Sequence, residues 1–232
     1  MSHPYITPAT INFLYELAAN NNREWFAENK PRYEGLVREP SLRLIEDSAP
    51  LLRQISEHFV ASPKKVGGSL MRVYRDTRFA RDKTPYKTNI GIQFRHYQGK
   101  DVHAPGFYLH VGLDEVFIGV GIWRPDSTAL SAIRTAIDEQ GKGWKVALRS
   151  LNHGLGGEQG FQLHGDSLKR PPRGFDKDHP LLEDLKRKDF IAIQHLSYEQ
   201  LLADDYLDQV FAAFTASRPF MAYLCKALDL PF

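Results

Sequence analysis

The chain has 232 residues, with 30 lysines and arginines against 28 aspartates and glutamates, a formal net charge of +2 and a hydrophobic share of 42%. Those values exclude a disordered, fibrous or strongly polyionic protein, and the length suits one domain with a substantial core. No run of about 18 apolar residues marks a membrane span, and MSHPYITPATINFLYEL lacks the basic segment and apolar core of a leader, so a cytoplasmic protein without a membrane partner is expected.

Thr7 before Pro8 is a helix start, because the hydroxyl can cap free amides and proline at the first helical position loses nothing. Ile11, Leu14, Leu17 and Ala18 then recur at helical spacing. Asn20, Asn21 and Asn22 break that helix and cap a second one carrying Trp25 and Phe26. A third, from about Pro40, shows Leu44, Ile45, Leu51, Leu52, Ile55 and Phe59, with a kink or break expected at Pro50.

The period then changes to two. Met71 and Val73 alternate with Arg72 and Tyr74, and Ile90, Ile92 and Phe94 with Gly91, Gln93 and Arg95. Phe107, Leu109 and Val111 alternate with Tyr108 and His110, and Val116, Ile118, Val120 and Ile122 with Phe117, Gly119 and Gly121. Four strands are predicted, the last two joined by a hairpin at Asp114 and Glu115. One face is aliphatic and requires helices. The other gathers Arg72, Tyr74, Gln93, Arg95, Tyr108, His110 and Phe117 around Gly119 and Gly121, and is either a partly solvated surface or the floor of a ligand cleft.

A helix capped by Asp126 or Ser127 buries Leu130, Ile133, Ala136 and Ile137, and a shorter one covers Trp144 to Leu151. Residues 153–180 read as irregular, with one strand near Phe161 to Leu163. A short helix at Leu181 to Leu185, a strand-like DFIAIQHL and helical periodicity through Tyr206, Leu207, Val210, Phe211 and Phe214 complete the pattern, with a last helix from Pro219. The lone cysteine, Cys225, reads as a small buried hydrophobe. The fold class is therefore α+β: a single domain over 1–232, with a mainly antiparallel sheet packed by N-terminal, middle and C-terminal helices.

Chemistry concentrates in RVYRDTRFARDKTPYK. Arg72, Arg75, Arg78, Arg81, Lys83 and Lys87 stand beside only Asp76 and Asp82, so nearly all the excess positive charge is local. Arg72 and Arg75 fall on opposite faces of a regular strand, so the segment must turn before its cations can converge, and Pro85 supplies the turn. Arginine forks match carboxylate and phosphate oxygens. The leading expectation is a site for a phosphate- or carboxylate-bearing small molecule lined by Arg72, Arg75, Arg78, Lys83, Tyr86 and Lys87, with Arg170 and Arg173 approaching from the later LKRPPRGF loop.

Two alternatives stay open. One is an enzyme acting on a phosphorylated small molecule, with His110, Asp76 or Asp82 in proton transfer. The other is a nucleic-acid or protein interaction module, for which arginines interleaved with Tyr74, Phe79 and Tyr86 supply phosphate contacts and stacking surfaces. No HExxH, Walker loop, GxGxxG or nucleophile elbow occurs, no cofactor is indicated, and neighbouring cations oppose a metal at Asp76 and Asp82.

NNREWFAENKPRYE, YRDTRFARDKTPYKTNI, GVGIWRP, and LKRPPRGF with LKRKDF together resemble the uncharacterised family called domain of unknown function 2461, over about residues 11–190. The resemblance implies a compact α+β domain with a helical C-terminal extension packed on it. It also implies that Arg75, Asp76, Arg78, Phe79, Asp82, Lys83, Pro85, Tyr86 and Lys87 form one signature and Asn21, Arg23, Trp25 and Phe26 another. It implies no activity.

Overall fold

The alternating stretches become an antiparallel sheet in a computed structural model that describes residues 5–99, 103–152 and 160–232. Its strands are β1 (Phe59–Val60), β2 (Ile90–His96), β3 (Gly106–Val111), β4 (Val116–Ile122), β5 (Gln162–His164) and β6 (Phe190–Leu196), in the spatial order β1-β2-β3-β4-β6-β5. The hairpin predicted at Asp114 and Glu115 joins β3 to β4, closed by the Gly112 N–H donating to Glu115 O at 2.9 Å. DFIAIQHL becomes β6, which pairs with β4 on one side and β5 on the other. Part of the loop predicted over 153–180, residues 153–159, lies outside the described residues.

The stretch from Met71 to Tyr74 is not the regular strand its alternation predicts. It makes only isolated bridges, Leu70 with Ile92 and Tyr74 with Tyr86. The physical reason is a change of partner. The Met71 N–H donates to Gly91 O at 2.8 Å, then the Lys87 N–H donates to Val73 O at 2.7 Å and the Arg75 N–H to Pro85 O at 2.9 Å. The chain leaves the sheet edge at Arg72 and pairs with itself as an arm over 73–87.

Helices cover the aliphatic face. The N-terminal ones are α1 (Pro8–Ala19), α2 (Arg23–Tyr33) and α3 (Glu39–Ile55), with a wide π-type turn over Glu34–Arg38 between the last two. The helix runs through Pro50 without the predicted break. At Pro40 the missing N–H would orphan the Leu36 carbonyl four residues back, and the buried Thr10 hydroxyl donates to that carbonyl instead, at 3.0 Å. The middle helices are α4 (Ser127–Glu139), capped by Asp126, α5 (Gly141–Ser150) and α6 (Leu182–Leu185); the C-terminal ones are α7 (Tyr198–Leu201), α8 (Tyr206–Ala216) and α9 (Arg218–Ala227).

Phe94 and Phe107 from the sheet, Phe211 and Phe214 from α8, and Phe59 from β1 form one aromatic contact network in the core. Trp144 of α5 is fully buried among Phe190, Phe220 and Tyr223. Cys225 is buried as expected, which pushes its thiol up to about 12. Among the described residues no helix is long and apolar enough to cross a membrane.

Candidate ligand site on the open face of the sheet

The register places the outward-facing side chains in rows. Gly91, His110, Phe117 and His195 form one row; Gln93, Tyr108, Gly119, Ile193 and Gln162 the next; Arg95, Gly106, Gly121, Ile191 and His164 the third. Glycines thus occupy the centre of the face, and the backbone there is bare. Around them opens a groove of about 560 Å³, within the range of small-molecule sites. Met71, Phe117, Trp123, Ile191 and Ile193 give it apolar walls, and Lys87, Gln93, Tyr108, Glu115, His164 and His195 supply polar groups. The open face is therefore the concave one.

Two of its glycines differ in kind. Gly121 has φ +118, and a Cβ there would stand 2.1 Å from Phe190 O, so the backbone itself requires glycine. At Gly119 a Cβ would meet Ile193 Cγ2 and Tyr108 Cβ at 3.7 Å, an ordinary contact. The fold does not require a glycine at 119; what its absence of side chain preserves is the space above it.

Lys87 connects the groove to the arm. It lines the groove and also a polar hollow of about 410 Å³ formed with Asn21, Arg75, Asp82, Thr84, Tyr86, Thr88 and Asn89. Its position is fixed from the N-terminal helices. The Asn21 side chain takes both backbone groups of Tyr86, donating to its carbonyl and accepting from its N–H, each at 3.0 Å. The Tyr86 ring, 5% exposed, stacks on Phe26 with ring centres 4.0 Å apart. The two signatures named from the sequence are therefore in direct contact, and Tyr86 serves as an anchor between them.

Of the other cations in this stretch, Arg75, Arg78 and Lys83 are occupied. Arg75 bonds the Asp82 carboxylate and the Thr84 hydroxyl. Arg78 makes a two-pronged contact with Asp76, at 3.0 and 2.7 Å, and Lys83 donates to the Thr77 carbonyl at 2.8 Å. The Arg78 hydrogen bonds hold the Asp76 carboxyl down at about 2, and the Arg75 bond, aided by Thr84, does the same for Asp82. Arg72 is exposed. Among the described residues no hydrogen-bond or ion-pair partner meets the Lys87 ammonium, and burial, with the Arg72 charge adding to it, pulls its pKa below the usual lysine value.

Arg170 and Arg173 are exposed in the loop between β5 and α6, outside both the groove and the hollow. His110 lies flat on Phe117, ring centres 4.5 Å apart, with Nδ1 3.3 Å from the Tyr108 hydroxyl; burial lowers its pKa, and it does not line the groove. Burial, with the Glu115 charge, pushes Tyr108 up to about 12, so the phenol keeps its proton. Sequence reasoning missed His195, whose Nδ1 lies 3.9 Å from the Glu115 carboxylate, together with His164 and the role of Trp123. The period-two pattern in IAIQHL puts Ile191, Ile193 and His195 on one face, but the face shared with β4 follows only from the pairing.

The far end of the groove is also fastened. Buried Asp189 accepts from the Arg124 N–H at 2.8 Å and the Asp166 N–H at 2.9 Å, which ties the chain after Trp123 to the chain after His164. Arg124 takes a positive φ of 48 and lies 4.7 Å from the Trp123 ring centre. The GVGIWRP and LKRKDF segments meet here. The model of a family described as conserved hypothetical protein, DUF2461, matches residues 9–223. The chain belongs to the DUF2461 family. The match runs past Phe190 through α8 and into α9, so the C-terminal helices fall within the DUF2461 region. No curated protein and no solved structure matches the chain.

Proposed function

We propose that this DUF2461 protein binds a small organic anion, a carboxylate or phosphate carried on an apolar or planar body. The body lies in the groove over Gly119, and the anion sits at Lys87, where groove and polar hollow adjoin. The observation that carries this reading is the half-buried Lys87 ammonium, without a partner among the described residues, in a concave, largely apolar site, since a buried charge without a counter-charge is costly and an anion relieves it. The arm supplies a positive surrounding for capture, while Arg75, paired with Asp82, lines the hollow.

The nucleic-acid alternative has less support. Tyr86 is withdrawn into the body, and the charges of Arg75 and Arg78 are already answered by Asp82 and Asp76.

The test is a thermal-shift screen of wild type, Lys87→Met and Gly119→Leu against aromatic and aliphatic carboxylates, sugar phosphates, nucleotides and short single-stranded RNA. A ligand at about a hundred times its dissociation constant stabilises a two-state fold by roughly 2.7 kcal/mol. The expected result is a shift with a small anion in wild type that both variants lose. A shift that both variants keep places the ligand elsewhere, and a shift with RNA alone replaces this reading with the nucleic-acid one.

A further inference from the structure

A lysine that only holds an anion does so as an ammonium, and most surface lysines stay ammonium at neutral pH. Lys87 differs from them in three ways. It lines a largely apolar groove, it has no acid partner among the described residues, and Arg72 adds a like charge nearby. Desolvation and a neighbouring cation are the two conditions that turn a lysine into a nucleophilic amine. Its backbone is also held in place, through Val73 on one side and through the Asn21 clamp on Tyr86 on the other, so the amine is presented from a fixed point.

We propose that the Lys87 ε-amine condenses reversibly with the carbonyl group of an anionic aldehyde or 2-oxo acid bound across the groove and the polar hollow. The ammonium first gives one proton to solvent. The neutral nitrogen then adds to the carbonyl carbon, and the carbonyl oxygen leaves as water with the two amine hydrogens. Amine plus carbonyl becomes imine plus water, with no oxidant or reductant required. The hydroxyl of Tyr108, which lines the same groove and keeps its proton, can donate to the carbonyl oxygen. The inference takes the ligand's negative charge from the anion-site reading, but the reactivity of the amine is separable from it.

The experiment treats the full chain with glyoxylate and, separately, with 4-formylbenzoate, traps any imine with cyanoborohydride, and maps the adducts by peptide mass spectrometry. The exposed Lys64 and Lys142 are internal comparators. In parallel, 4-methylbenzoate, which carries the anion and ring without the aldehyde, is followed by thermal shift. Lys87→Arg keeps a cation and removes the primary amine. The expected result is a single adduct on Lys87 before Lys64 or Lys142, lost in Lys87→Arg, while 4-methylbenzoate shifts the wild-type protein. If 4-methylbenzoate binds but the label spreads evenly over Lys87, Lys64 and Lys142, the imine proposal is wrong and the anion site survives. Preferential labelling of Lys87 without any shift from 4-methylbenzoate keeps the imine and removes the anion reading. Neither signal overturns both.

Discussion

The two faces of the sheet are built from the same strands by opposite rules. On the inner face Phe94, Phe107, Ile118 and Phe190 are fully buried against the helices, and large side chains fill the volume. On the outer face Gly106, Gly119 and Gly121 leave the middle of the sheet bare, and polar groups gather at the margins. The inner face gives up freedom for stability; the outer one keeps space open, with the half-buried Lys87 beside it. Stability and binding are therefore expected to respond to different substitutions, even at neighbouring positions on one strand.

The largest contrast is on β3. Truncating Phe107→Ala opens a cavity in the aromatic cluster with Phe59 and Phe214 and should cost about 3–5 kcal/mol in denaturant unfolding; a loss under about 1 kcal/mol would show that the inner face is not the source of stability. Next is the clamp joining the two signatures. Asn21→Ala leaves the Tyr86 N–H and carbonyl without their partner, an expected loss of about 1–3 kcal/mol. The same variant should weaken anion binding, because Lys87 is the next residue. Binding unchanged in a destabilised Asn21→Ala protein would separate Lys87 from its proposed anchor.

The glycines sharpen the contrast further. Gly119→Ala should leave stability unchanged or raise it by about 0.4–1 kcal/mol, whereas Gly121→Ala should destabilise by more than that, since φ +118 and the Phe190 carbonyl both oppose a side chain. Equal effects at the two positions would remove the distinction between space kept for the backbone and space kept above it.

The smallest effect is electrostatic. The Lys87 pKa is lowered in the folded chain, so the unfolded chain binds more protons, and stability rises with pH until both states have lost the proton. Lys87→Met should accordingly raise Tm at neutral pH, and the gain should fade as pH rises through the lowered value toward the ordinary lysine value. A Tm difference that stays flat with pH would mean that the gain comes from packing.

Period-two alternation located β2, β3 and β4, and helical spacing located most helices, because each pattern reports on which face is buried. It failed at Met71–Tyr74, where alternation is present but the chain exchanges one pairing partner for another, a choice made by distant Gly91 and Pro85. The mixed outer face was legible, Gly119 and Gly121 included. What stayed hidden was which cation is half-buried at the groove. Six basic residues in one stretch look alike in sequence, and only folding pairs Arg75 with Asp82 and Arg78 with Asp76 while turning Lys87 toward the groove. His195 and Trp123 were unassigned for a similar reason, since their neighbours come from β4–β6 pairing and from the Asp189 tie.

The sheet ends on its two shortest strands, β1 with two residues and β5 with three. A long unpaired edge is a template on which a second chain can extend the ladder, and such edges drive aggregation. Here the outer side of β2 is shared between β1 and the Ser69–Met71 segment, and β5 offers its neighbours almost no backbone to copy. A sheet with an open face can thus stay exposed to small molecules in a crowded solution while giving other strands little to grip.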